Sequence, residues 1–292
     1  TLFTYTAGTV LCDRNVFPAQ SDQVGQGYTG DLNGDGAFDI IISAATFPFQ
    51  HPASRGPQTG LILFNNGDNL FTPALGDQPQ SEHAREYLVY DFNGDKLLDI
   101  YIADHGYDAA PFPGFRDQLL LGTGTGFTDA TNRLPDISAF THNGAAGDID
   151  GDGDIDIFAL NSDGIEAEFS YFLINDGLAN FTLNRSRLPA SLNSLAQLKN
   201  SYAAEISDLD ADGFPELIIG RRDFTNSLPN RIHWNDGQGN FSDSRVTYLD
   251  DEIDVFNNLE RVHAIDIQGT DVNGDGLNDL LIHSYDSAQF NG

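Results

Sequence analysis

DIDGDGDID, residues 148–156, is the stretch on which the reading of this chain turns. Carboxylates stand at its positions 1, 3, 5 and 9, and glycines at 4 and 6. Four further stretches follow the pattern: DLNGDGAFD at 31–39, DFNGDKLLD at 91–99, DLDADGFPE at 208–216 and DVNGDGLND at 271–279. Their first aspartates lie 60, 57, 60 and 63 residues apart. Self-similarity at a fixed period of this size marks a repeat architecture.

Short acidic and amide side chains at alternate positions of a tight loop wrap oxygen around a hard cation. The side-chain ligands read as Asp31, Asn33, Asp35 and Asp39; Asp91, Asn93, Asp95 and Asp99; Asp148, Asp150, Asp152 and Asp156; Asp208, Asp210, Asp212 and Glu216; Asp271, Asn273, Asp275 and Asp279. The backbone carbonyl at position 7 completes each set, from Ala37, Leu97, Asp154, Phe214 and Leu277. An all-oxygen shell suits calcium, about five ions, one per loop. The single Cys and the lack of paired His spacing give no transition-metal motif. An EF-hand would need Glu at position 12, where this chain has Ile42, Ile102, Ala159, Ile219 and Ile282. Instead each loop runs into an apolar, β-prone segment such as Ile100-Tyr101-Ile102, so each feeds a buried strand rather than a helix.

The pattern D-x-[DN]-x-D-G-x-x-D followed by a hydrophobic strand resembles the FG-GAP/VCBS repeat family, whose integrin-like members are calcium-stapled β-propellers. The resemblance covers all five periods, with two departures: Lys96 replaces Gly at position 6 of the second loop, and Glu216 replaces the last Asp of the fourth. Lys96 sets a cation beside the second site and predicts weaker binding there.

Between loops a second theme recurs, a short strand, a Gly/Asn/Asp turn and an F-[TS] strand: 61–64 with 70–72, 119–121 with 126–128, 171–174 with 180–182, and 231–234 with 240–242. Each period thus holds four strands, which is the blade of an all-β propeller. Segments 2–5 and 10–16 read as a looser fifth hairpin that pairs with the strand at 280–283 and closes a five-bladed ring. The alternative is a piece of a seven-bladed propeller, which at this period would need about 420 residues against the 292 present.

With 44 acidic and 14 basic residues the formal charge is −30, a field that repels nucleic acid and anionic membranes. Cys12 leaves no intrachain disulfide, and calcium takes the stapling role. No transmembrane run or signal peptide is visible, and a chain that starts at Thr1 and holds no Met reads as a processed product or one domain of a larger secreted protein. The expected location is extracellular or at the cell surface.

The calcium loops join strands one and two of each blade, so they share one face. Strand-one entries and second-to-third connections share the other, where most of the histidines fall. Counting back eight residues from each first aspartate gives Gln23, His83, Phe140, Asn200 and His263; counting back six gives Gly25, Arg85, His142, Tyr202 and Ile265. The longest second-to-third connection starts at His105 and includes Tyr107. His83, Arg85, His105, Tyr107, His142, Tyr202 and His263 are therefore the candidate ligand-binding residues, expected in one patch at the channel mouth. Imidazoles titrate near neutrality, which predicts tighter binding of an anion as pH falls. The reading is a binding or adhesion module for an extracellular glycan or protein. The alternative is a lyase-like enzyme in which His or Tyr is the base and Arg neutralises a carboxylate. No nucleophile elbow or recognisable pair of catalytic carboxylates supports the enzyme.

Overall fold

Every cassette is followed at once by an apolar run, and in the computed structural model each run is the second strand of an antiparallel sheet. The structure describes residues 23–45, 56–67, 70–108, 112–162, 169–193, 201–222, 228–249 and 262–286. The fold is all-β: among these residues helix is confined to the 3-10 turns Thr131–Arg133 and Ala190–Leu192.

Four sheets repeat one order, in which four main strands pair antiparallel in chain order, while Gln58–Thr59 and Gln80–Ser81 pair apart as a small ribbon. The first holds Gln23–Gly30, Asp39–Ala45, Leu61–Asn65 and Phe71–Pro73. The second holds Ala84–Tyr90, Asp99–Asp104, Gln118–Gly122 and Gly126–Asp129, with Leu75–Gly76 added in parallel at its outer edge. The third holds Thr141–Gly147, Asp156–Asn161, Tyr171–Asn175 and Phe181–Asn184. The fourth holds Ser201–Ser207, Glu216–Arg221, Arg231–His233 and Val246–Tyr248. A last pair, Val262–Thr270 with Asp279–Asp286, repeats the first half of the pattern. The hairpin read at 2–5 and 10–16, and its pairing with 280–283, lie outside the described residues, as do Cys12 and Asn200.

One expectation fails. The outer strand of the fourth sheet is Val246–Tyr248, not 240–242, and the strand before it stops at His233. Phe241 explains the shift: its ring is buried in the core between the third and fourth sheets, 5.5 Å from Phe172, and its N–H donates to the Arg187 carbonyl at 2.8 Å. With that residue committed inward, a turn at 242–245 carries the chain on before it pairs.

The sheets stack face to face in chain order. Ile41 and Ile62 of the first pack on Ile100, Ile102 and Leu120 of the second. Tyr101 and Leu119 of the second pack on Ile157, Tyr171 and Leu173 of the third. Phe158, Leu160 and Phe172 meet Leu217 and Ile219 of the fourth, and Ile218 and Ile232 meet Ile267 of the last pair. The second strands of the second, third and fourth sheets are covered on both faces, so their sequences are continuously apolar rather than alternating. The first strands of successive sheets are also neighbours across the stack. Buried asparagines in the hairpin turns stitch the layers at the cassette end. Asn175 donates to Ile155 O of its own loop and to Phe92 O of the preceding one, at 3.1 and 2.8 Å. Asn235 repeats this with Pro215 O and Ile149 O at 3.1 and 2.8 Å. Each bond to a buried carbonyl is worth about 1 kcal/mol net, and more is lost if the carbonyl is left bare.

Candidate functional site

Four of the five cassettes share one hydrogen-bond pattern, and the fourth loop keeps it except at Asp208 Oδ1. In the first, Asp31 Oδ1 accepts the N–H groups of Gly34 and Asp35 at 2.8 and 3.1 Å, and Oδ2 that of Gly36 at 2.8 Å. Asp35 Oδ1 accepts Ala37 N–H at 2.8 Å. The second and fifth loops repeat these contacts on Asp91 and Asp271. Curling the backbone this tightly requires a left-handed residue at positions 4 and 6 of every loop. Glycine supplies it except at Ala211, φ 59°, and Lys96, φ 70°. An L-residue there costs roughly 1 kcal/mol.

Position 9 does more than the ligand role read from the sequence. Asp39, Asp99, Asp156 and Glu216 are buried. One oxygen of Asp39 accepts Leu32 N–H of its own loop at 2.9 Å, and the other Asn65 N–H of the third strand at 2.8 Å. Asp99 does the same with Phe92 and Gly122 at 3.0 and 2.8 Å. Burial pushes the Asp99 carboxyl up to about 6 and those of Asp156 and Glu216 to about 7, against the pull of these N–H donors.

In two loops the carboxylates converge. Carboxylate oxygens of Asp148, Asp150 and Asp152 lie within 4.8 Å of one another, as do those of Asp208, Asp210 and Glu216. Asp208 Oδ1 is buried without a hydrogen-bond partner. An all-oxygen set with a bare acceptor fits a hard divalent cation. In the third loop Arg187 already pairs with Asp150 at 2.9 Å, a cation the sequence reading did not foresee.

At the opposite end the first strands share a defect. Pairing skips one residue between Ala84 and Glu86, between Thr141 and Asn143, between Ser201 and Ala203, and between Ala264 and Asp266. The bulged residues are Arg85, His142, Tyr202 and Ile265, and the first strand is irregular at the equivalent place, between Val24 and Gly27. A β-bulge re-aims the extra side chain, and here it brings three sheets together. Arg85 donates from Nη2 to His142 Nε2 at 3.0 Å and to the Tyr202 hydroxyl at 3.1 Å. A guanidinium only donates, so His142 Nε2 is the acceptor and the proton sits on Nδ1. The His142 and Tyr202 rings are 3.8 Å apart, and Arg222 stands over Tyr202 at 5.5 Å. His105 stacks on Phe140 at 4.4 Å and 12°, with His83 4.2 Å away on a tilted plane.

The structure thus unites His83, Arg85, His105, His142 and Tyr202. Tyr107, half-buried, lies two residues beyond His105 in the connection to the third strand. His263 has its backbone on the first strand of the last pair, opposite Tyr285, and its side chain lies outside the described residues.

Titration near neutrality does not hold for these histidines. Burial, reinforced by Arg85, lowers His83 to about 4. Burial with His83 and Arg85 lowers His105 to about 2, and burial with Arg85, His105 and Arg222 takes His142 well below the ordinary value. These three imidazoles stay neutral at physiological pH, so for them the expected strengthening of anion binding toward acid pH loses its basis.

Two buried aspartates missed in the sequence hold this end. Asp104 accepts the N–H groups of Glu82, His83 and Gly106 at 2.7, 2.8 and 2.7 Å. Asp117 accepts Asp104 N–H at 2.9 Å and the hydroxyls of Tyr101, Thr141 and Tyr171 at 2.5, 3.1 and 3.3 Å. The only sequence signal was an acid at the edge of an apolar strand.

Residues 91–159 match the family model of the FG-GAP-like repeat, so the chain carries this repeat over its second and third cassettes. No curated protein matches the chain in sequence. Among solved structures it is similar to an exotype rhamnogalacturonan lyase at 13% identity and a TM-score of 0.41, over 86% of this chain and 55% of that one. A rhamnogalacturonan lyase from Bacillus licheniformis is similar at 15% identity and a TM-score of 0.32, over 90% and 40%. The chain spans about half the length of the first and less of the second.

Inside the stack, Glu86 accepts Asn143 Nδ2 at 3.0 Å and Glu205 accepts Gly269 N–H at 3.2 Å. Burial, with the charge of Asp266 added, raises both carboxyls to about 7. A raised folded pKa favours the fold fully below the ordinary glutamate value, and that contribution is lost as pH climbs through about 7. Urea unfolding at saturating calcium should therefore show stability falling across that window, with a shallower fall in Glu86→Gln and Glu205→Gln. Slopes equal to the parent's in both variants would refute it.

Proposed function

We propose that the chain is a calcium-stabilised β-propeller acting outside the cell, whose bulge residues bind a carboxylated glycan. The carrying observation is Arg85, held by His142 Nε2 and the Tyr202 hydroxyl among rings from three sheets. A guanidinium fork matches a carboxylate, and neighbouring aromatic faces offer apolar surface to a sugar ring's C–H groups. An acidic segment of an extracellular protein presents the same anion and is the alternative partner. In the cassettes, calcium would be held by side chains at positions 1, 3, 5 and 9 and the position 7 carbonyl, and when bound would neutralise their crowded carboxylates.

A second reading is β-elimination on a bound uronate, with Arg85 neutralising the carboxylate and the Tyr202 hydroxyl, 3.1 Å from Arg85 Nη2, as the proton-abstracting group.

Binding to a panel of acidic and neutral glycans and acidic peptides, in calcium, tests the site. Arg85→Ala should weaken the acidic ligand about tenfold or more, the worth of a lost charge-assisted hydrogen bond. Leu178→Ser, exposed in a turn at the cassette end, is the control. Equal affinity in both variants would remove the site reading. A new double-bond absorbance during incubation would move the conclusion to the lyase.

For the fold, we propose that residues 2–16 complete the last pair as the outer strands of a fifth blade. Deleting the first 17 residues should then bare the edge of Asp279–Asp286 and cause association. An unchanged, soluble monomer would instead favour part of a larger ring.

A further inference from the structure

The sequence has no paired His spacing, yet the fold builds what spacing does not. His83 enters the first strand of the second sheet and His105 leaves its second strand, so antiparallel pairing sets them side by side, with His105 N–H donating to His83 O at 3.3 Å. Donor atoms of His83, His105 and Asp108 all lie within 4.8 Å of one another. We infer that His83, His105 and Asp108 form a site for a divalent transition metal, zinc first, separate from the calcium cassettes at the other end.

Donor chemistry decides the ion. Two imidazole nitrogens and one carboxylate oxygen are too soft a set for calcium and suit zinc, with coordination positions left for water or a ligand anion. The surroundings are those of a built site. His105 Nδ1 lies 2.8 Å from the Gly106 carbonyl, which can only accept, so Nδ1 carries the proton and Nε2 is the nitrogen left to coordinate. An imidazole so fixed through its other nitrogen is the usual support of a metal-bound histidine. Asp104 then ties the backbone of His83 and Gly106 to one buried carboxylate, at 2.8 and 2.7 Å.

The loop beyond is equally constrained. A Cβ on Gly106 would fall 2.5 Å from the Gly114 carbonyl carbon, and one on Gly114 would fall 2.5 Å from that of Ala139. Gly106 and Gly114 therefore lie tightly against each other and the third sheet, with Phe140 stacked on His105. The charges compete: Asp108 attracts the cation and the nearby Arg85 opposes it. That opposition separates this site from the glycan reading, on which it does not depend. Removing Arg85 should weaken an anionic glycan and strengthen the metal.

Cobalt(II) is the probe, added to the full chain in excess calcium so that the cassettes are filled. One equivalent should give visible d–d absorption of nitrogen-ligated cobalt, and zinc should displace it. His83→Gln and Asp108→Asn should each weaken cobalt about tenfold or more, Leu70→Ala on the outer edge of the first sheet should not, and Arg85→Gln should tighten it. Circular dichroism matching the parent establishes that the variants are folded. Absence of the d–d bands in folded protein would overturn the proposal. So would His83→Gln and Asp108→Asn binding as the parent does, with the cobalt then assigned to the cassettes.

Discussion

The buried carboxylate at position 9 is the contact on which the rest of the molecule depends. It belongs to the second strand, closes the cassette before it and reaches the third strand after it. Asp39 makes both links, to Leu32 and Asn65, and Asp99 makes them to Phe92 and Gly122. One anion thus fixes three consecutive parts of a sheet. An uncompensated buried charge is costly, which is why the acid occurs only where backbone N–H groups converge on it. Glu216 fills the role with a longer arm and still reaches Leu209 N–H at 2.9 Å.

Once each sheet is fixed in this way, stacking follows from its two apolar faces, and stacking places the bulges. Arg85, His142 and Tyr202 are far apart in sequence, but each is the extra residue at the same point of its own first strand. Pseudo-repetition therefore gathers unlike side chains at one end, while Asp104 and Asp117 hold the backbone beneath them. Each of those buried acids accepts N–H or O–H donors that would otherwise be buried unpaired.

Much of this was legible in the sequence because it is local. The cassettes, the strand after each and three of the four outer hairpins follow from spacing and turn chemistry. Counting back six residues from each first aspartate reached the bulges, since equal spacing implies equal structural place. What escaped depends on contacts between distant segments. Phe241 sits in an F-S pair that reads as a strand, and only the core between two sheets explains why it turns inward. Asn175 and Asn235 read as turn formers, and their bonds to the preceding sheet's loop emerge only when the sheets are stacked. The histidines read as titrating groups because burial and the charge of Arg85 are properties of the folded chain. His83 and His105 are 22 residues apart, a separation that no metal motif encodes.

The central claim is that cassettes holding an oxygen-bound cation are the staples of the fold. Calorimetric unfolding in EDTA and in millimolar calcium tests it most directly. If calcium binds the folded loops and not the unfolded chain, the midpoint must rise with calcium concentration and the stabilisation must reach several kcal/mol. Its loss in EDTA would follow from carboxylates left to repel one another in each loop. Identical midpoints in the two solutions would contradict the account.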